Sequence, residues 1–200
     1  LVISHDEVVH LKHSMIEKMP GDEEEKFKNL KAGYAFMMCH PGKKLLFMGQ
    51  EFAQSHEWDE KTELSWFELE NPLHKGIQKW VKDLLHTYKK YPSLWEQDIN
   101  WDGFEWINAN DNYRSIFSFV RKSKDGTKNI LFVVNMTPVN YSDYRVGVVS
   151  AKKHTLILDS EEPEYYGKAK SKARRKKIYT PEAKPCDGKD YSIGYPLPGF

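Results

Sequence analysis

The period of the apolar positions changes near residue 92 of the chain. Before that point, short continuous apolar runs alternate with helical stripes. Leu1-Val2-Ile3 breaks off into Ser4-His5-Asp6-Glu7, which predicts a strand ending in ionisable side chains. Gly21-Asp22 supplies a helix cap. Glu23, Glu24 and Glu25 suit the positive end of the helix, and Phe27, Leu30, Tyr34 and Met37 or Met38 form its buried stripe until His40-Pro41-Gly42 stops it. Lys44 to Met48 is a compact apolar run between Gly42 and Gly49, the pattern of a strand buried on both faces of a parallel sheet. It ends in Gln50 and Glu51. After a loop rich in aromatic and acidic residues, Asn71-Pro72 opens a second helix. Ile77, Trp80, Val81, Leu84, Leu85 and Tyr88 share one face of it, and Tyr91-Pro92 ends it. Strand, helix, strand, loop, helix is an α/β order.

Beyond Pro92 the period falls to two. Alternating runs at Gly103–Ile107, Ser115–Val120, Ile130–Val134, Tyr144–Val148 and Thr155–Leu158, with Asp125-Gly126 as a turn, predict an antiparallel β-sandwich. "KAKSKARRKK", Lys168 to Lys177, reads as a solvated basic loop. "YSIGYPLPGF" begins one more strand, and its pattern suggests that the closing strand of the sandwich is missing. The expected domains are 1–94 (α/β) and 95–200 (all-β).

Composition narrows the function classes. With 40% apolar and 14% aromatic residues the chain holds enough to pack a core. Lys and Arg number 30 against 29 Asp and Glu, so no whole-chain field draws in nucleic acid or a membrane surface. The one basic run is preceded by Glu161, Glu162 and Glu164, which argues against a nucleic-acid role. Cys39 and Cys186 have no disulfide framework around them and read as reduced, cytosolic thiols; no run approaches membrane-spanning length and no leader peptide is visible, so the expected location is the cytoplasm.

His5, Asp6 and Glu7 sit where a buried parallel strand delivers side chains above a sheet or barrel, a position that makes them catalytic candidates. On a strand, His5 and Glu7 would share a direction and Asp6 would point the other way. The plainer alternative is that they cap a strand and the following helix. His10 and His13, three apart, would share a helix face, but with His5 they match no zinc motif, and no metal is expected. The sequence has no phosphate loop, nucleophile elbow or Cys-x-x-Cys.

"SHDEVVH", "MPGDEEEKFKNLKAGYAFMMCHPGKKLLFMGQEFAQ", "EWDEKTELSWFEL", "YPSLWEQD", "GFEWI", and "NMTPV" followed by "YRVGV" occur in that order. Together they resemble the C-terminal part of the 1,4-α-glucan branching enzymes, in the α-amylase superfamily of glycoside hydrolases. The resemblance runs from Leu1 to about Asp159 and is looser beyond. Leu11 stands where the family often has Gly. The resemblance implies that Leu1–Ser4 and Lys44–Met48 are the seventh and eighth strands of a (β/α)₈ barrel, so that the chain holds the last two strand-helix units and the β-sandwich that follows. It implies an enzyme that cleaves an α-1,4 linkage of an α-glucan such as glycogen, amylose or starch. The glucan passes through a covalent intermediate on an Asp, with a Glu as acid/base, to a 6-hydroxyl of another chain. Both of those carboxyl groups would lie upstream of Leu1, so the chain alone is expected to be inactive. Asp6 matches the third acid of the family pattern, which binds sugar hydroxyls at the cleavage subsite and stabilises the transition state. His5 would contact substrate beside it; Gln50 and Glu51 would line the same mouth, giving structural support more than substrate contact, with Glu51 the candidate for binding; and no cofactor is implied. Trp58 and Trp66 are either sugar-stacking platforms or packing for a long loop. The alternatives are an α-glucan hydrolase of the same superfamily, or a non-catalytic carbohydrate-binding or structural β domain.

Overall fold

A computed structural model of the chain describes residues 3–166 and 177–200; Leu1, Val2 and most of the basic run Lys168–Lys177 lie outside the described residues. Helix α1 is Glu23–Cys39. Its start is a reciprocal cap: the Asp22 carboxylate accepts from Glu25 N at 2.9 Å, and the Glu25 carboxylate accepts from Asp22 N at 3.1 Å. Helix α2, Pro72–Lys90, begins with the Asn71 side chain accepting from Leu73 N at 2.9 Å and Pro at the first turn. Phe27, Leu30, Tyr34 and Met38 of α1 meet Ile77, Trp80, Val81 and Leu84 of α2 in one core. Trp80 Nε1 donates to the Lys31 carbonyl at 3.0 Å across the helix pair. Leu85, assigned to the same face by its spacing, is 41% exposed instead; it sits at the edge of the stripe, one position past Leu84.

The strand expected at Lys44–Met48 is not seen, and the one expected at Leu1–Ser4 falls partly on Leu1 and Val2, outside the described residues. Among the described residues no strand precedes Phe104. Residues 43–47 form no strand: Phe47 N donates to the Gln50 side chain at 3.1 Å rather than to a neighbouring strand, and Gly49, at φ +83°, turns the chain away. The physical reason is partnership, because a strand buried on both faces exists only with ladders on its two edges, and among the described residues no strand flanks it. Leu46 and the buried Ile3 pack against the helical core instead. Residues 10–13, proposed as part of a helix face, are irregular. His10, Leu11 and His13 all take left-handed backbone conformations, at φ 61°, 64° and 64°.

The second half is the antiparallel β domain. Strands β1 (Phe104–Asp111), β2 (Ile116–Arg121) and β3 (Ile130–Asn135) form a sheet in the order β1-β2-β3; β4 (Tyr141–Val148) pairs with β7 (Tyr191–Leu197), and β5 (His154–Thr155) with β6 (Ile178–Tyr179). Of the run Thr155–Leu158 only Thr155 lies in a strand, as the second residue of β5, and Leu156 N then donates to the Lys177 carbonyl at 2.9 Å. The turn at Asp125-Gly126 lies within a loop over 122–129, in which the Asp125 carboxylate accepts from the Ser123 hydroxyl and from the backbone and hydroxyl of Thr127.

Strand β2 is central and buried on both sides. Ile116 and Val120 face a core shared with Ile107, Tyr144, Val146, Val148 and Ile193. Phe119 and Arg121, on the other side, face the helical half, where Phe36 of α1 packs against Phe119 and Phe132 at 5.9 and 6.2 Å between ring centres. Arg121 is fully buried; it donates to the Gly103 carbonyl (3.2 Å), the Cys39 carbonyl at the end of α1 (2.9 Å) and the Asp98 carboxylate (2.6 Å). Residues 158–166 then return to the helices. Tyr165 packs edge-on against Trp80 at 4.8 Å, its hydroxyl donates to Asp83 at 2.8 Å, and the buried Lys31 ammonium donates to the Ser160 and Tyr165 carbonyls at 2.6 and 3.3 Å. Gly76 allows this approach: a Cβ there would stand 2.9 Å from the Tyr165 carbonyl oxygen.

Candidate functional site

His5, Asp6 and Glu7 form one 3₁₀ turn rather than the end of a strand. Side chains on such a turn diverge by about a third of a revolution per residue, so the strand alternation expected for them does not apply. His5 Nε2 and Asp6 Oδ1 are 3.1 Å apart, with side-chain exposures of 59% and 68%. The Ser4 hydroxyl donates to the other Asp6 oxygen at 3.2 Å, and Glu7 is 3.8 Å from Lys18. Asp6 thus offers an open carboxylate with one oxygen held by Ser4 and the other by His5, a charged acceptor for ligand hydroxyls. Beneath it the His5 ring meets Phe47 at 5.9 Å, and Phe47 meets Trp58 edge-on at 5.1 Å.

Gln50 and Glu51 lie in the next turn, Gln50–Phe52. Gln50 is buried. Its side-chain oxygen accepts from Phe47 N, and its backbone carbonyl accepts from the Tyr34 hydroxyl at 2.9 Å. Its Nε2 is buried without a hydrogen-bond partner, and the residue borders a small hollow lined also by Val8, Ser14, Met48, His56 and Trp58. Glu51 is half-buried and not bonded to His5 or Asp6; its charge is felt at Tyr34, whose hydroxyl is pushed well above the phenol range, first by burial and then by Glu51. The structure therefore brings His5 and Asp6 together, and sets Glu51 apart from them. Trp58 packs on Phe47, and Trp66 lies on Phe52 at 5.0 Å while remaining 45% exposed. Among the described residues no group of three or more His, Cys, Asp or Glu is placed to hold a metal ion, and no helix is long and apolar enough to cross a membrane.

Two residues to which the sequence assigned no role hold this region. The Glu57 carboxylate accepts from Leu11 N at 2.9 Å and His13 N at 2.8 Å, the first of which is the main reason its carboxyl titrates below the usual range. Between those two residues, Lys12 reaches back to donate to the Asp6 carbonyl at 2.7 Å. Glu57 and Lys12 are ordinary charged loop residues in the sequence, and only the 46-residue separation closed by the fold gives them a role.

The antiparallel sheets define the class. Residues 106–200 match the α-amylase C-terminal all-β domain. Over its full length the chain is homologous to 1,4-α-glucan branching enzymes. It is 52% identical over 200 residues to GlgB of Butyrivibrio fibrisolvens, and 46% identical over 198 residues to GlgB of Aquifex aeolicus. These alignments take in 100% and 99% of this chain but 31% of each relative, so the chain spans about a third of the length of the enzymes it matches. The solved structure of a debranching enzyme from Nostoc punctiforme superposes on 96% of the chain, and 32% of its own, with a TM-score of 0.59 and 14% identity, a likeness of fold.

Proposed function

We propose that this chain is the C-terminal part of a 1,4-α-glucan branching enzyme, with residues 1–94 closing a catalytic (β/α)₈ barrel and residues 95–200 forming the β-sandwich behind it. The observation that carries the reading is the identity with branching enzymes running across all 200 residues, through the His5–Asp6 turn as well as the β domain. The unpaired stretch 43–47 suits this reading, because a strand supplied by the rest of the barrel would give it the ladder partners it lacks here. The nucleophile and the acid/base come from that same remainder.

In this reading Asp6 accepts hydrogen bonds from sugar hydroxyls that tighten as positive charge builds on the ring, His5 donates beside it, and Glu51 lines the mouth. The ligand is an α-glucan. Replacing Asp6 by Asn in the whole enzyme keeps the shape and removes the charge. A loss of about 3 kcal/mol of transition-state stabilisation corresponds to roughly a hundredfold in kcat or more. Glu7→Gln, at a residue whose carboxylate lies 3.8 Å from Lys18, costs clearly less. The measurement is branch formation on amylose by protein shown to be folded. Near wild-type turnover in Asp6→Asn would remove Asp6 from the site. Release of free oligosaccharide in place of α-1,6 branches would favour the hydrolase, and glucan binding without any turnover would favour a non-catalytic domain.

A further inference from the structure

We infer that Glu57 is a positioning residue for the Asp6 turn, acting as a strap that holds the loop His10–His13 in its left-handed course so that Lys12 can fix the backbone of Asp6. The inference rests on the reading of Asp6 as a substrate-contacting acid. Non-glycine residues adopt positive φ at a cost, and three of four consecutive residues do so here: His10, Leu11 and His13. Nothing apolar holds the loop in place, since all four side chains are exposed and Leu11 is 91% exposed. What holds it is polar. One carboxylate, that of Glu57, takes the N–H groups on both sides of Lys12, at 2.9 and 2.8 Å. The next residue, Trp58, donates its own N–H to the Val8 carbonyl at 3.0 Å, and the Ser14 hydroxyl donates to the Ser55 carbonyl at 2.9 Å. The segment Ser55–Trp58 therefore pins both ends of the loop, and Glu57 pins its middle. With residues 11 and 13 fixed, the Lys12 side chain reaches the Asp6 carbonyl at 2.7 Å.

Gln in place of Glu57 keeps the shape but presents an N–H₂ group to one of the two backbone N–H donors, so one bond is lost and the strap opens. Glycine in place of Leu11 takes the positive φ freely, so it lowers the need for the strap. The test compares wild-type enzyme, Glu57→Gln, Leu11→Gly and the pair. Branch formation in Glu57→Gln should fall about tenfold in kcat with KM within about twofold, because the loss is of alignment rather than of ground-state binding. Leu11→Gly alone should stay near wild type, and in the pair it should restore most of the lost turnover. Tryptic cleavage after Lys12, mapped by mass spectrometry on the unliganded protein, reads the loop without reference to activity. It should accelerate about tenfold in Glu57→Gln, the reach of a local opening equilibrium shifted by one charge-assisted bond, and slow again in the pair. Wild-type kcat in Glu57→Gln, or a loss that Leu11→Gly does not restore, would overturn the inference. Unchanged cleavage at Lys12 would do the same. A wild-type enzyme that forms no branches would instead refute the proposed function, and Lys12 cleavage would still decide whether Glu57 holds the loop.

Discussion

Lys44 shows how a single side chain can oppose the fold it belongs to. It is partly buried beside Arg121, donates to the His40 carbonyl and lies 5.4 Å above the Tyr88 ring. Burial lowers its pKa to about 8, Asp98 working against that shift and Arg121 adding to it. Between that value and its ordinary one near 10.5, the unfolded chain holds the proton and the folded chain has released it. Stability therefore rises with pH across that window, and below it the protein carries the cost of a buried charge. Lys44→Met removes the titration. Urea melts from pH 7.5 to 10 should show wild-type stability gaining on Lys44→Met as pH rises; parallel curves would mean that Lys44 is solvated in the fold. None of this is legible from Lys44 in sequence, where it is one residue flanking an apolar run, because Tyr88, Asp98 and Arg121, which set its surroundings, lie 44 to 77 positions away. Asp6 is the opposite case. Its motif stands out in seven letters, yet the strand end assigned to it is a 3₁₀ turn, since the pattern of an apolar run says which residues are buried and not what pairs with them.

At the scale of elements the helices were the most readable, since caps and stripe lie within a few residues of one another. Asp22, Asn71 and the stops at His40 and Tyr91 all stand where the local chemistry put them. Strand β6 had no such signal: its two residues follow the basic run and exist as a strand only through His154 and Thr155. Gly76 separates local from tertiary preference within one helix. Helix propensity alone makes Gly76→Ala stabilising by up to about 1 kcal/mol. The added methyl would meet the Tyr165 backbone at 2.9 Å, pushing the segment that bonds Lys31 and packs on Trp80. Overpacking against backbone costs about 1–3 kcal/mol, so the net effect should be destabilising by about 1 kcal/mol. A raised melting temperature for Gly76→Ala would show that this segment yields easily.

Over the whole molecule, the two halves that differ so plainly in apolar period are joined by polar groups that no periodicity marks. Arg121 ties the end of α1, the segment around Asp98 and strand β2 with three donors, its side chain fully buried. Arg121→Met would keep much of the volume but leave Asp98, itself nearly buried, without its cation. Breaking a buried pair from one side costs about 3–5 kcal/mol, which should lower the melting temperature by at least several degrees. Arg121→Met/Asp98→Leu should recover a large part of that loss, and failure to recover would place the cost in the two backbone carbonyls instead. The second joint is the return of residues 158–166 to the helix pair. During synthesis α2 is complete at Lys90, but Tyr165, which covers Trp80 and closes the buried cage around Lys31, leaves the ribosome about 75 residues later. At about 5–20 residues per second, the helical half spends roughly 4–15 s with that face open, waiting for a tyrosine encoded beyond most of the β domain.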